Sequence, residues 1–285
     1  MKNIINLHNH THYSALDALS TPKLLVDKAI EHGVNSIAIT DHGNMNNWGN
    51  FYLYAKSKNI KPILGCEFYI IEDLEEWKKL KLYYEENKSK DKEEKKKILS
   101  KLRQRNHLII LVKNLEGFET INQLIYESYN NFYYRPRIDK KLLEKYNKGL
   151  ICSSACLAGE IQQYIINKDF ENAEKTILWY KNLFKEDFYL EIQFNELKEQ
   201  HDCNLKLIEL GKKFGIKIII TADSHYVNKD DQTTHQTLLL LQSKQTYTEL
   251  NNKDAWEFST KGLFVKNREE FWNDCQKYNL EIDKE

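Results

Sequence analysis

Ile4-Ile5-Asn6-Leu7-His8-Asn9-His10 is the stretch from which the fold can be read. A short apolar run of strand type ends directly in two histidines one residue apart. In an extended segment residues i and i+2 point to the same side, so both imidazoles can face one cation. The arrangement returns at other strand-like runs. Ser36–Thr40 leads into Asp41-His42, Pro62–Ile71 contains Gly65-Cys66-Glu67, Leu150–Ser153 precedes Ser154-Ala155-Cys156, and Ile216–Thr221 leads into Asp223-Ser224-His225. Leu108–Val112 and Phe188–Gln193 bring the set of runs to seven.

Most of these runs are almost continuously apolar, as strands covered on both faces are. Helical patterns separate them. The clearest has Thr21 as N-cap, Pro22 in the first turn, an apolar stripe of Leu24, Leu25, Ala29 and Ile30, and a stop at Gly33. Ala173–Phe184 and Asn204–Phe214 read the same way. Strands alternating with helices predict an α/β fold with a largely parallel sheet, and about seven units predict a closed or nearly closed barrel. One domain is expected over residues 1–285. The Lys- and Glu-dense stretch at about 73–105 reads as a charged helical insertion with solvated i,i+4 ion pairs. The tail from Leu263 to Trp272 is apolar enough to pack, and Phe264–Trp272 is a candidate contact to a further body.

The chain has 285 residues, 41% of them hydrophobic, with 42 basic and 42 acidic side chains and a net charge of zero. That balance excludes strong sequence-independent DNA binding through overall charge, so any nucleic-acid contact must come from a local patch or a metal site. Five cysteines (Cys66, Cys152, Cys156, Cys203, Cys275) show no disulfide rhythm. With no signal-peptide pattern and no apolar run near the ~20 residues of a spanning helix, a reducing cytoplasmic location and no membrane contact are expected.

In a β/α barrel the C-terminal strand ends converge on one face. Asp17, in the loop after the first run, and His107, beside the fourth, join the strand-end residues there. His107 precedes its apolar run, and only a strand of reversed direction would bring it to the same face. So many donors exceed the roughly four that one cation needs and suit two or three divalent metal ions sharing ligands. Imidazoles, carboxylates and a thiolate favour zinc, or a mixture with manganese or iron, over magnesium alone. Such a cluster activates water and clamps a phosphoryl group. The sequence has no G-x-S-x-G elbow, phosphate loop or dinucleotide fingerprint to suggest other chemistry. Arg135 and Arg137 flank a proline in an aromatic stretch, where they could grip a phosphate. The neighbouring tyrosines could stack bases of a single-stranded end. His32 reads as a favourable charge at a helix C-terminus, His201 and His235 as surface or packing residues, and Cys66 and Cys152 as core.

His8-Asn9-His10-Thr11-His12-Tyr13-Ser14 with Leu16-Asp17, Thr40-Asp41-His42-Gly43-Asn44, Gly65-Cys66-Glu67 and Asp223-Ser224-His225-Tyr226 resemble the metal motifs of PHP (polymerase and histidinol phosphatase) domains. Phe132–Asp139, Ser153–Ile161, Phe188–Gln193 and Ala222–Asp231 are similar to the branch found in the α subunits of bacterial DNA polymerase III. The resemblance covers about residues 4 to 270. It implies a distorted (β/α)7 barrel with a metal cluster at one end. It places the ligands on His8, His10, Asp17, His42, Glu67, His107, Cys156, Asp223 and His225, with none substituted. His10, Asp17, Asp223 and His225 are then the expected catalytic set. The implied activity is a metal-dependent 3′–5′ exonuclease serving proofreading, acting on a single-stranded DNA 3′ end. The implied partners are the polymerase body of the same subunit and a proofreading subunit. His12 stands where these polymerases often carry Asp, and Ala18 where they often carry Gly; neither is a ligand position. The polymerase palm, thumb and fingers are absent, so this chain alone is not expected to polymerise DNA, and a fragment, cloned domain or split-gene product is expected. Two other readings use the same residues: a catalytically silent metal-binding scaffold, and a free-standing phosphomonoesterase of histidinol phosphatase type.

Overall fold

Residues 4–87, 91–246 and 260–280 are described by a computed structural model. Among these residues seven strands form: β1 (Ser36–Ile39), β2 (Lys61–Ile71), β3 (Asn106–Val112), β4 (Ile138–Asp139), β5 (Leu150–Ser153), β6 (Phe188–Gln193) and β7 (Ile218–Thr221). Their order is β1-β2-β3-β5-β6-β7, with β4 a short addition to β2. The pairs β1–β2, β5–β6 and β6–β7 are parallel. β3 runs antiparallel to both β2 and β5. The sheet is therefore less parallel than the alternation of elements suggests. The reversal carries His107, at the start of β3, to the end of the sheet where the parallel strands finish.

The N-terminal segment joins the two edges. The Ala38 and Thr40 amides donate to the carbonyls of Asn6 and Asn9, 3.2 and 2.9 Å. On the other side the His10 amide donates to the Ser224 carbonyl, 2.8 Å, and the Ser224 amide to that of His8, 3.1 Å. The closing contacts lie over residues 6–10, slightly later than the apolar run Ile4–Leu7, because the bonding edges are the polar backbone around the histidines.

Helices α1 (Pro22–Glu31) and α2 (Trp48–Ser57) flank β1 in the chain. The Thr21 hydroxyl accepts from the Leu24 amide, the expected cap. His32 differs from expectation. Burial and nearby Lys28 hold its pKa below the ordinary value, so at neutral pH it ends α1 uncharged. Further along come α5 (Leu115–Asn130), α6 (Lys140–Lys145), α7 (Glu160–Ile166), α8 (Phe170–Phe184), α9 (Lys198–Phe214) and α10 (Gln232–Ser243). α8 and α9 begin earlier than their apolar periodicity indicates, because their first turns are polar; Asp169 caps α8 by accepting from the Asn172 amide. One core runs through the barrel and its helices and includes Cys66, Cys152, Cys203 and Cys275. Among the described residues no helix is long and apolar enough to cross a membrane.

The charged insertion is a helical hairpin of α3 (Leu74–Asn87) and α4 (Lys92–Arg103), with residues 88–90 of the expected stretch outside the described residues. Its outer face carries solvated pairs such as Lys78–Glu75, while Leu74, Trp77, Ile98 and Leu102 form a small core of their own. Arg137 locks that core to the barrel. Its guanidinium lies 4.3 Å over the Trp77 ring and donates to the carbonyls of Leu102 (2.8 Å) and Tyr133 (2.6 Å). The tail is fastened beside the loop after β7, where the His225 and Tyr226 amides donate to the Leu263 carbonyl. Leu263, Phe264, Val265 and Phe271 are buried in the chain itself, so they do not form an outward contact surface. A capping box of Asn267 and Glu270 starts α11 (Arg268–Lys277), the last helix among the described residues.

Arg137→Ala leaves two carbonyls without a charged donor and is expected to cost roughly 3 kcal/mol of unfolding free energy. Urea denaturation reads this directly, and a loss below about 1 kcal/mol would show that the hairpin does not depend on Arg137.

Candidate metal centre

The mouth of the barrel gathers donors from separate strand ends because each strand delivers one or two side chains there. Glu67, wholly buried on β2, is the hub. Its Oε2 lies 3.3 Å from His8 Nε2, 3.0 Å from His10 Nε2 and 3.0 Å from His42 Nδ1. Its Oε1 lies 2.5 Å from His107 Nδ1, with Cys156 Sγ 3.5 Å from that same nitrogen. Asp223 Oδ1 approaches His8 Nε2 at 3.0 Å and His10 Nε2 at 3.2 Å. Asp17 Oδ2 sits 2.9 Å from His42 Nε2 and 3.8 Å from His225 Nε2. All nine residues singled out in the sequence are thus brought together. Three overlapping groups have donor atoms within 4.8 Å of one another: His8, His10, Glu67 and Asp223; His42, Glu67 and His107; and His10, His42 and His225.

The donors fit cations better than they fit one another. His8 Nε2 and His10 Nε2 face each other at 3.1 Å. Asp223 Oδ1 and His42 Nδ1 are buried and close to other donors, yet have no aligned hydrogen-bond partner. Donor atoms gathered on a shared point rather than along hydrogen bonds are the geometry of a ligand set.

The backs of the imidazoles are fixed by residues the sequence reading did not assign. His8 Nδ1 donates to Glu191 Oε1, 2.7 Å, and that carboxylate also accepts from Ser153, Thr221 and Gln193. His10 Nδ1 donates to Ser14 Oγ, 2.9 Å, whose own proton goes to Asp41 Oδ1, 2.9 Å. Asp41 is held further by the Thr11 amide and hydroxyl. Both histidines therefore turn Nε2 inward. Ser14 is only 2% exposed and committed to Asp41, so it is not a free nucleophile. His235, expected to pack or lie on the surface, is buried and donates from Nε2 to the Asp17 carbonyl, 2.7 Å. Glu191 had a legible signal, a lone carboxylate inside the apolar run Phe188–Gln193; His235 had none.

Backbone strain marks the same loops. Leu16 (φ 62°), Ala155 (φ 62°) and Asp223 (φ 49°) take left-handed conformations, beside or at Asp17, Cys156 and Asp223. Each costs about 1–3 kcal/mol and is kept only where surrounding contacts hold it. Gly43 (φ 61°) follows His42, and a Cβ there would stand 2.6 Å from Pro136 Cγ and 3.4 Å from Tyr69 Cε2. Glycine thus lets the loop around Pro136 lie against the mouth.

Charge follows the geometry. Burial disfavours the His8 cation, but Asp223, Glu191 and Glu67 outweigh it and raise the pKa well above the ordinary value. His42 is raised in the same way, against burial, by Tyr69 and Glu67 among others. Burial and His10 push His225 down to about 4, so it is neutral at pH 7. Burial would raise the Asp17 carboxyl, but His42 and His225 hold it well below the usual carboxylate range. Arg137, expected to reach a phosphate, is buried and spent on backbone carbonyls. Arg135 is half-buried at the rim.

Comparison with known proteins gives this mouth a family. The chain is 36% identical over 276 residues to the DNA polymerase III subunit alpha of Borreliella burgdorferi, covering 96% of this chain and 22% of that one. It is 37% identical over 252 residues to the protein of the same name in Aquifex aeolicus, covering 88% and 21%. The chain therefore spans about a fifth of the length of these curated relatives. Among solved structures, the histidinol phosphate phosphatase of Lactococcus lactis aligns with a TM-score of 0.38 at 17% identity, over 85% of this chain and 94% of that one. The PHP domain model matches residues 6–195, which hold six of the nine clustered positions up to His107 and also Cys156, and on that match the chain belongs to the PHP domain family.

Proposed function

We propose that this chain is a metal-dependent phosphoesterase that holds two or three divalent cations on His8, His10, Asp17, His42, Glu67, His107, Cys156, Asp223 and His225. Zinc is the metal this donor set favours, with manganese or iron as alternatives. The observation that carries the reading is the close approach of these donors without mutual hydrogen-bond alignment, as at His42 Nδ1 and Asp223 Oδ1. Divalent cations so held lower the pKa of water and offset the charge of a phosphoryl group. The chain's own residues do the rest. Glu191 and the Ser14–Asp41 pair keep His8 and His10 turned inward. Asp17 is held ionised by His42 and His225, and His225 is neutral at pH 7, the protonation states in which both would bind a cation.

The substrate in this reading is the 3′ end of single-stranded DNA and the reaction 3′–5′ exonucleolytic proofreading, within a replicative DNA polymerase III α subunit. Support comes from the identity to chains of that name across most of this sequence. The polymerase body and a proofreading subunit are then its partners, and the cytoplasm its place.

The test uses a 3′-labelled single-stranded oligodeoxynucleotide and protein of measured metal content. Nucleotide release that stops with chelator, and falls to the chelated background in His10→Ala and Asp223→Asn, is expected. Full metal occupancy without release would leave a scaffold. Preference for a small phosphate monoester would indicate a phosphomonoesterase.

Glu191→Gln supplies a finer check. It removes the negative charge behind His8 but no donor atom, so metal affinity should fall about 10–100-fold while the rate recovers at saturating metal. Metal titration of the apo protein measures it, and an unaltered affinity would contradict the positioning role.

A further inference from the structure

Four of the five arginines in this lysine-rich chain, Arg103, Arg105, Arg135 and Arg137, lie in two short stretches, and the structure brings those stretches together beside the metal centre. Among the described residues none of the four pairs with a carboxylate, although lysines across the surface do. Arg105 is two residues before His107, so the two share a face of the extended chain that begins β3. At 3.3 Å per residue Arg105 stands about 6.6 Å further out than His107. Its guanidinium lies 5.1 Å from the Tyr69 ring, which itself stacks on His42 at 5.7 Å and meets His107 edge-on at 5.2 Å. Arg105 Nε is buried without a partner.

Arg135 stands in the loop whose Pro136 packs at Gly43, and its charge acts on both Tyr69 and Arg105. Tyr134 between them in sequence is 63% exposed, has a left-handed backbone (φ 60°) and carries Arg103 over its ring at 5.0 Å. Its ring also meets Tyr133 edge-on at 4.8 Å, a contact that leaves most of the side chain open to solvent. The loop is braced from below: the Tyr133 amide donates to the Arg135 carbonyl, 3.1 Å, and Arg137 donates to the Tyr133 carbonyl.

We propose that Arg105 and Arg135, both in the neighbourhood of Tyr69, bind the phosphate next to the one held at the metal centre, and that Tyr134 stacks the adjoining base. Arg137 positions this loop without touching substrate. One Arg105 nitrogen donates to the Arg103 carbonyl, 2.8 Å, and among the described residues no carboxylate neutralises either guanidinium. Guanidinium forks recognise phosphate oxygens, and an exposed ring accepts any base, so the ligand is a single-stranded oligonucleotide. Tyr69 keeps the guanidiniums one ring away from the histidines, so they serve a chain of phosphates rather than a lone phosphate ester. The inference rests on the phosphoesterase reading for its substrate but is tested by binding.

The measurement is fluorescence anisotropy of a labelled single-stranded oligodeoxynucleotide with a non-hydrolysable phosphorothioate 3′ linkage, titrated with the full metal-loaded chain at several salt concentrations. Arg105→Gln and Arg135→Ala should each weaken binding about tenfold and reduce the slope of log affinity against log salt by about 0.7. Tyr134→Ala should weaken binding about tenfold with the slope unchanged. Absence of binding by the parent chain, or arginine variants with the parent's salt slope, would overturn the proposal. Cleavage of the unmodified oligonucleotide by the parent is scored separately. Slope changes without cleavage would keep the phosphate clamp and sink the catalytic reading.

Discussion

Glu67 is a carboxylate with no access to water, and the rest of the mouth is arranged around that fact. An unpaired ion in such a place costs several kcal/mol. Four imidazoles surround it, and burial, which would raise its pKa, is outweighed by His107, His42 and His8. Those imidazoles come from the closing segment, the end of β1 and the reversed strand β3, so satisfying one carboxylate requires the ring of strands to be complete. The backbone bonds from residues 6–10 to β1 and to Ser224 close the sheet and seat His8 and His10 in one step. Fold and centre are in this sense one object.

The same requirement explains why β3 runs against its neighbours. A parallel strand after β2 would need a crossover to start at the far end of the sheet. The chain instead leaves β2 at the mouth, forms the α3–α4 hairpin there, and re-enters as β3 from the mouth. Glu67 and His107 are separated by that whole excursion, yet their strands are paired in register, Tyr69 opposite His107. The hairpin therefore sits on the rim, and its last helical residue, Arg103, is delivered to the opening.

Sequence periodicity made the strands, the main helices and the convergence of His8, His10, His42, Glu67, Asp223 and His225 legible, because strand-end position is a one-dimensional property. His107 was legible only as a puzzle, since strand direction depends on pairing partners that no local pattern records. Glu191, Asp41 and Ser14 act from behind the imidazoles. Their roles depend on hydrogen bonds across the barrel, as between His8 and Glu191, 183 residues apart. Arg137 illustrates the opposite error. Beside a proline in an aromatic stretch it looks like a ligand-gripping residue, but burial against Trp77 decides otherwise, and burial is a property of the folded neighbourhood.

Choice of cation then distinguishes surface from site. Lysines, with flexible stems and compact heads, form the solvated pairs on the hairpin and helices, where an exposed pair is worth little and tolerates change. Four of the five arginines instead stand at the rim. Arg137 uses its fork on two carbonyls and a ring, which makes the rim stiff. Arg105 and Arg135 present theirs around Tyr69 with no carboxylate to neutralise them. Mutual repulsion among unpaired cations is destabilising in the isolated chain, and a polyanion entering the mouth would remove it. The strained residues at Leu16, Ala155, Tyr134 and Asp223 ring the same opening. Six further left-handed non-glycine residues among those described, Asn59 and Lys168 among them, lie at helix ends and turns elsewhere, so what sets the mouth apart is that its strained residues stand at or beside Asp17, Cys156 and Asp223 and the uncompensated arginines.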